Sequence, residues 1–141
     1  MKTYQKIQSV EELKSVYPLM KQLREHLSES EFISRIQAAQ KESHYRLLAL
    51  YQDQQCLGLM GYRILTDLVH GRHLYIDDLV VDEKIRSQGV GAELLTKAKE
   101  IARQENCQRL RLCTGAENDR GKNFYERQGW KMKAVVYKSQ L

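Results

Sequence analysis

From Tyr4 to Leu65 the chain switches between two hydrophobic periods. Val10, Leu13, Val16, Tyr17, Met20 and Leu23 recur every three or four positions, the spacing of a helix with one buried stripe. Ser9-Val10-Glu11-Glu12 opens that stripe as a capping box, and Pro18 inside it predicts a kink or split. A second capping box, Ser28-Glu29-Ser30-Glu31, starts a helix with Phe32, Ile33, Ile36 and Ala39 on one side, and the loop between the helices carries His26 and Leu27. Tyr4 to Gln8 reads as a strand before these helices. After them, Tyr45 to Tyr51 and Cys56 to Leu65 read as two more, joined as an antiparallel hairpin by the polar turn Gln52-Asp53-Gln54-Gln55.

His73 to Val81 is the next strand. Gly89 to Glu105 follows as an amphipathic helix with Val90, Leu94, Leu95, Ala98, Ile101 and Ala102 on its sheet side, and Asn106 suits its end. Gln108 to Cys113 returns as a strand, so this run is a βαβ unit with its two strands parallel. A short helix from about Asp119 to Gln128, stopped by Gly129, leads to closing strands around Trp130 to Lys133 and Ala134 to Ser139. The order β-α-α-β-β-β-α-β-α-β-β describes one α+β domain spanning residues 1 to 141, without repeat, linker or low-complexity stretch.

Composition narrows the function classes. With 42% hydrophobic and 29% charged residues the chain has an ordinary soluble balance, and no apolar run approaches the ~20 residues of a membrane span. The first residues lack the apolar stretch of a secretory signal, so a cytoplasmic protein is expected, with no membrane partner. A net charge of +5 would suit nucleic acid, yet Lys and Arg are scattered without a basic run, and no nucleic-acid partner is expected. Cys56, Cys107 and Cys113 are an odd number at wide spacing in strand-like segments; they read as reduced core residues, with neither a disulfide framework nor a metal site.

The candidate chemistry starts at Leu79-Val80-Val81-Asp82-Glu83-Lys84-Ile85-Arg86-Ser87-Gln88-Gly89-Val90-Gly91-Ala92, where a strand ends in a glycine-bearing turn and becomes a helix at once. Such a turn aims free N–H groups and the positive helix end at one point, an anion cradle most often used for phosphate. A triphosphatase loop would place Lys and then Ser or Thr after the last glycine, whereas Ala92, Glu93 and Leu94 follow Gly91. A dinucleotide fingerprint would need a third glycine where Leu94 stands and an acidic residue where Arg109 and Arg111 stand.

The remaining pattern, Arg/Gln-x-x-Gly-x-Gly/Ala on Arg86, Gly89 and Gly91, resembles the GNAT superfamily of acyl-CoA-dependent N-acetyltransferases. A second block, Asn118-Asp119-Arg120-Gly121-Lys122-Asn123-Phe124-Tyr125-Glu126-Arg127-Gln128-Gly129-Trp130, is similar to that family's Asn-x-x-Ala-x-x-Phe-Tyr-Glu-Lys-x-Gly-Phe. The resemblance covers roughly Leu74 to the C-terminus, and the N-terminal half fits by element order. Departures are Glu83 for the usual Pro, Ser87 where a third glycine is frequent, Gly121 for Ala and Trp130 for Phe.

The resemblance implies a three-layer GNAT fold: a mixed, mostly antiparallel sheet of about seven strands, one parallel βαβ unit, splayed central strands and helices on both faces. It implies acetyl-CoA as co-substrate, without metal. Leu79, Val80 and Val81 would pair with the pantetheine arm, and the amides of Arg86, Ser87, Gln88, Gly89, Val90 and Gly91 would take the pyrophosphate. Asn118 would hold the pantetheine end from the other side, and Tyr125 would be the general acid aimed at sulfur. Many relatives form dimers, so a homodimer is open, although no segment here marks an interface.

Asp77 and Asp78 stand side by side in the apolar strand Tyr75-Ile76-Asp77-Asp78-Leu79-Val80-Val81, where strand alternation sends them to opposite faces. One of them should face the active-site cleft. Asp77 occupies the place of a Glu proposed as base in relatives that act on small amines, with a bridging water favoured by its shorter side chain. Its other reading is a structural partner of Arg63, Arg72 or His73. Asp78, Tyr62 and His26 are the candidate acceptor contacts. The expected activity is acetyl transfer to a primary amine by direct attack in a ternary complex, with a small cationic acceptor favoured by the acidic pair. Protein lysines or N-termini, and a non-catalytic acyl-CoA sensor, are the alternatives.

Overall fold

Both predicted capping boxes form, and they fix where the first two helices start. In the computed structural model, which describes residues 1–141, α1 (Val10–Leu23) follows Ser9 and α2 (Glu29–Ser43) follows Ser28. Each serine hydroxyl accepts the N–H three residues on, and Glu12 or Glu31 accepts the N–H of its serine in return. These bonds hold the Glu12 carboxyl down at about 2. Pro18 does not split α1, which runs unbroken. Pro18 and Lys14 both lie on the exposed side, so the Lys14 carbonyl that loses its usual N–H partner can be hydrated.

The strands are β1 (Lys2–Lys6), β2 (Arg46–Gln52), β3 (Gln55–Asp67), β4 (Gly71–Val81) and β5 (Arg109–Leu112), in that spatial order. β1 to β4 pair antiparallel, and β4 pairs parallel with β5 across α3 (Val90–Gln104), as a βαβ unit requires. A short 3₁₀ turn, Glu83–Ile85, sits between β4 and α3, and α4 (Asp119–Arg127) follows β5. α1 and α2 cover one face over Leu13, Val16, Phe32, Leu47, Leu59 and Val80, while α3 covers the other over Leu50, Met60, Leu74, Leu94 and Ala98. The result is three layers.

The sheet has five strands rather than about seven. Residues 131 to 141 form no strand, make no backbone hydrogen bond, and leave Met132, Val135, Val136 and Tyr137 exposed. Strand propensity needs a partner edge. β5 offers only four residues, and its Arg109 and Arg111 would face a segment carrying Lys131, Lys133 and Lys138. Cys113 is likewise exposed rather than in the core, because β5 ends before it; Cys56 and Cys107 are partly buried, and all three thiols are free.

β5 pairs with β4 only from His73 to Ile76. β4 runs on to Val81 beside β3, so the stretch Asp77 to Val81 has no β5 partner and the parallel strands part there.

Candidate active site

A β-bulge builds the centre of the site. Across β3 and β4, Gly61 faces Asp78 and Tyr62 faces Ile76, which leaves Asp77 as the extra residue. The bulge cancels one step of alternation. Asp77 and Asp78 therefore do not point to opposite faces: both line one cavity of about 440 Å³ under α1 and α2. Its apolar wall includes Met20, Leu27, Phe32, Ile36 and Ala39, and its polar groups are Arg24, His26, Arg35, Tyr45, Arg63 and the two aspartates.

The carboxylates are tightly held. Arg63 grips Asp77 with two parallel bonds, Nε and Nη2 each 2.8 Å from a different oxygen. Arg24 donates from Nε to Asp78 Oδ1 at 2.9 Å and from Nη2 to the Asp77 carbonyl at 3.0 Å. The Tyr45 hydroxyl donates to the other Asp78 oxygen at 2.7 Å. Burial pushes the Asp77 carboxyl above the usual carboxylate range, against the pull of Arg63. Burial and the neighbouring Asp78 raise the Tyr45 hydroxyl well above its ordinary value, so it remains a donor.

Of the expected acceptor contacts, His26 is on the cavity rim and exposed, and Asp78 is inside. Tyr62 is in neither place: it is buried in the core under α3, on the far face of the sheet. Residue 62 lies an odd number of positions from Gly61 and Arg63, which both face the cavity side, so alternation sends its ring away. Arg24, Arg35 and Tyr45 were not anticipated. The one signal for Tyr45 was Gly61, since a glycine inside an apolar strand marks a close approach by another group.

The turn after β4 forms a second, separate feature. The Asp82 side chain accepts the Lys84 N–H and starts the 3₁₀ turn. Ser87 (φ +69°) and Gly89 (φ +84°) are both left-handed, which explains why glycine suits either place. Gly89 caps α3 without any side-chain bond, and the N–H groups from Ser87 to Ala92 donate to no other group of the chain. A Cβ at Gly89 would meet nothing within 4 Å, so the space before these donors is open. Gly91 has a different task from the expected one of approach to an oxygen. A Cβ there would come 3.0 Å from Phe124 Cζ, so its bare backbone lets α4 pack on α3.

On α4, the Tyr125 ring lies between Phe124 (5.2 Å) and Trp130 (6.1 Å), with its hydroxyl making no bond within the chain. Burial alone raises that hydroxyl above its ordinary value, so it is protonated at neutral pH. Asn118 caps α4: its Oδ1 accepts the Gly121 N–H at 3.0 Å and its Nδ2 donates to Thr114 Oγ1 at 2.9 Å. A Cβ on residue 121 would collide with this side chain, which accounts for Gly121.

Parallel strands that part beside a nest of free N–H donors, with an ionic cavity on one face of the sheet, suit an acyl-transfer scaffold. The chain belongs to the acetyltransferase (GNAT) family, whose family model matches residues 8–130, and it is an acetyltransferase. It is 30% identical over 131 residues, 92% of either chain, to the uncharacterized N-acetyltransferase YhdJ of Bacillus subtilis (strain 168). It is 32% identical over 89 residues to the aminoalkylphosphonate N-acetyltransferase of Salmonella typhimurium (strain LT2), covering 62% of this chain and 56% of that one. Its fold is similar to that of the aminoglycoside N-acetyltransferase AAC(6')-Iy solved in complex with CoA, with TM-score 0.83 and 16% identity over 100% of this chain and 96% of that one.

Proposed function

We propose that the chain moves an acetyl group from acetyl-CoA to the primary amine of a small molecule held in the cavity under α1 and α2. The observation that carries this reading is the bulge, which turns Asp77 and Asp78 together into that cavity just where β4 loses its β5 partner. CoA in the AAC(6')-Iy complex and the small amine in the name of the Salmonella relative support the two substrates.

The residues fit the co-substrate. The unbonded N–H groups of Ser87, Gln88, Gly89, Val90 and Gly91, with the Arg86 guanidinium and the positive end of α3, would hold a pyrophosphate. The extended backbone of Leu79, Val80 and Val81 offers the edge along which a pantetheine arm would pair. Bound acetyl-CoA would supply an activated acetyl thioester. Asp77, its proton affinity raised by burial, would take the amine proton through water. Tyr125 Oη would hold a proton for the departing thiolate. Asn118, its amide already engaged, would set the position of Tyr125 seven residues later rather than contact the thiol arm.

The acidic pair does not by itself favour a bare cation, because Arg63 and Arg24 already neutralise it. Thiol release from acetyl-CoA over a panel of amines tests the reading, with turnover expected on small primary amines. Tight CoA binding without turnover on any amine or lysine peptide would overturn it in favour of a sensor.

A further inference from the structure

We propose that the acceptor carries an acid group, a carboxylate, phosphate or phosphonate, a few bonds from its amine, and that Arg35 receives it. This rests on the acceptor cavity assigned above. The cavity holds three guanidinium groups, Arg24, Arg35 and Arg63, against two carboxylates, Asp77 and Asp78. Two of the three are spent: Arg63 on Asp77 and Arg24 on Asp78, all within 3.0 Å.

Arg35 has no such partner. It projects from α2 into the cavity lining and forms no ion pair or hydrogen bond within the chain. Glu31, one turn earlier, is the acidic group nearest in sequence on the same helix, and its carboxylate is committed to the Ser28 capping box. His26 completes the rim from the α1–α2 loop.

The Glu31 charge acts on Arg35 from one turn away but makes no bond to it, so Arg35 alone of the three guanidinium groups keeps its donors free. A protonated amine without an acid group leaves those donors unfilled, and a diamine does the same. An amine that brings its own anion fills them, because the planar guanidinium offers two parallel donors to an acid group. Leu27, Phe32 and Ile36 line the same cavity and suit a short carbon chain. The amine end is then directed to the inner pair and the acid end to Arg35.

The test compares butylamine, 1,4-diaminobutane, 4-aminobutanoate, 3-aminopropylphosphonate and a lysine peptide as acceptors. At least tenfold higher kcat/KM is expected for the two acid-bearing amines, and their ratio tells carboxylate from phosphonate. Arg35→Gln should raise KM for those two at least tenfold and shrink their advantage over butylamine, with the loss falling in KM rather than in kcat. Arg35→Lys should restore only part of the affinity. Calorimetric titration with 3-aminopropylphosphonate and 4-aminobutanoate, without acetyl-CoA, reads the same contact independently of turnover: heat with the parent protein that disappears in Arg35→Gln supports it. Equal or better use of butylamine, the diamine or the peptide would overturn the proposal, as would an equal effect of Arg35→Gln on every amine. If no amine is acetylated, the proposed function fails, and calorimetry alone then decides the role of Arg35.

Discussion

Gly61 of β3 leaves the space that the Tyr45 hydroxyl fills on its way to Asp78. A single methyl group at residue 61 would overlap that oxygen and the end of its ring. Gly61→Ala should therefore lower stability by about 1–3 kcal/mol, the usual cost of overpacking a tight interior. It should also lower kcat, since Asp78 loses its Tyr45 bond. Urea unfolding and steady-state rates check both; unchanged values would show that Tyr45 moves aside freely.

Asp77 acts, on the proposed reading, only as a carboxylate. As pH falls the protonated fraction grows, so kcat/KM should fall on the acid side. Because burial raises the Asp77 carboxyl, that limb should lie above the value of about 4 of an exposed aspartate. Asp77→Asn should remove the limb and lower kcat on the order of 10²-fold or more. A pH–rate profile identical in shape for the variant would place the titration elsewhere.

Tyr125 has a hydroxyl free of partners within the chain and a ring packed between Phe124 and Trp130. Tyr125→Phe keeps the packing and deletes the proton, so kcat should fall by about 10²-fold with little change in acetyl-CoA KM. Retained kcat would reduce Tyr125 to a packing residue.

Gly89 is left-handed, with open space in front of it. A branched side chain there both strains the backbone by on the order of 1–3 kcal/mol and covers the free N–H groups. Gly89→Val should weaken CoA binding more than tenfold by calorimetry. Gly91→Val, by contrast, should act through the Phe124 contact and show first as a lower melting temperature.

Much of the fold was legible because helices announce themselves locally. The apolar stripe of α1, both serine capping boxes and the sheet-facing residues of α3 depend on near neighbours in the chain; the boxes and α3 appear as read, and the stripe is buried or half-buried from Leu13 on while Val10 is exposed. Continuity through Pro18 depended on which side of α1 faces solvent, and pairing of residues 131 to 141 on the length of a distant edge, so neither was visible locally. The same divide runs through the site. The left-handed turn at Ser87 and Gly89 is a local conformation carried by motif residues. The bonds of Asp77 and Asp78 to Arg63, Arg24 and Tyr45 join residues 14 to 54 positions apart, and only the paired sheet brings them together.

The bulge at Asp77 makes the charge of the cavity a matter of counting as well as of composition. A relative lacking the bulge residue would zip β3 to β4 without interruption, so that a second acid next to the first could no longer share its face. One would be driven among Met60, Val90 and Leu94, where no counter-charge awaits it. Insertions and deletions at this point of the family should therefore redirect acceptor choice more sharply than replacement of either acid.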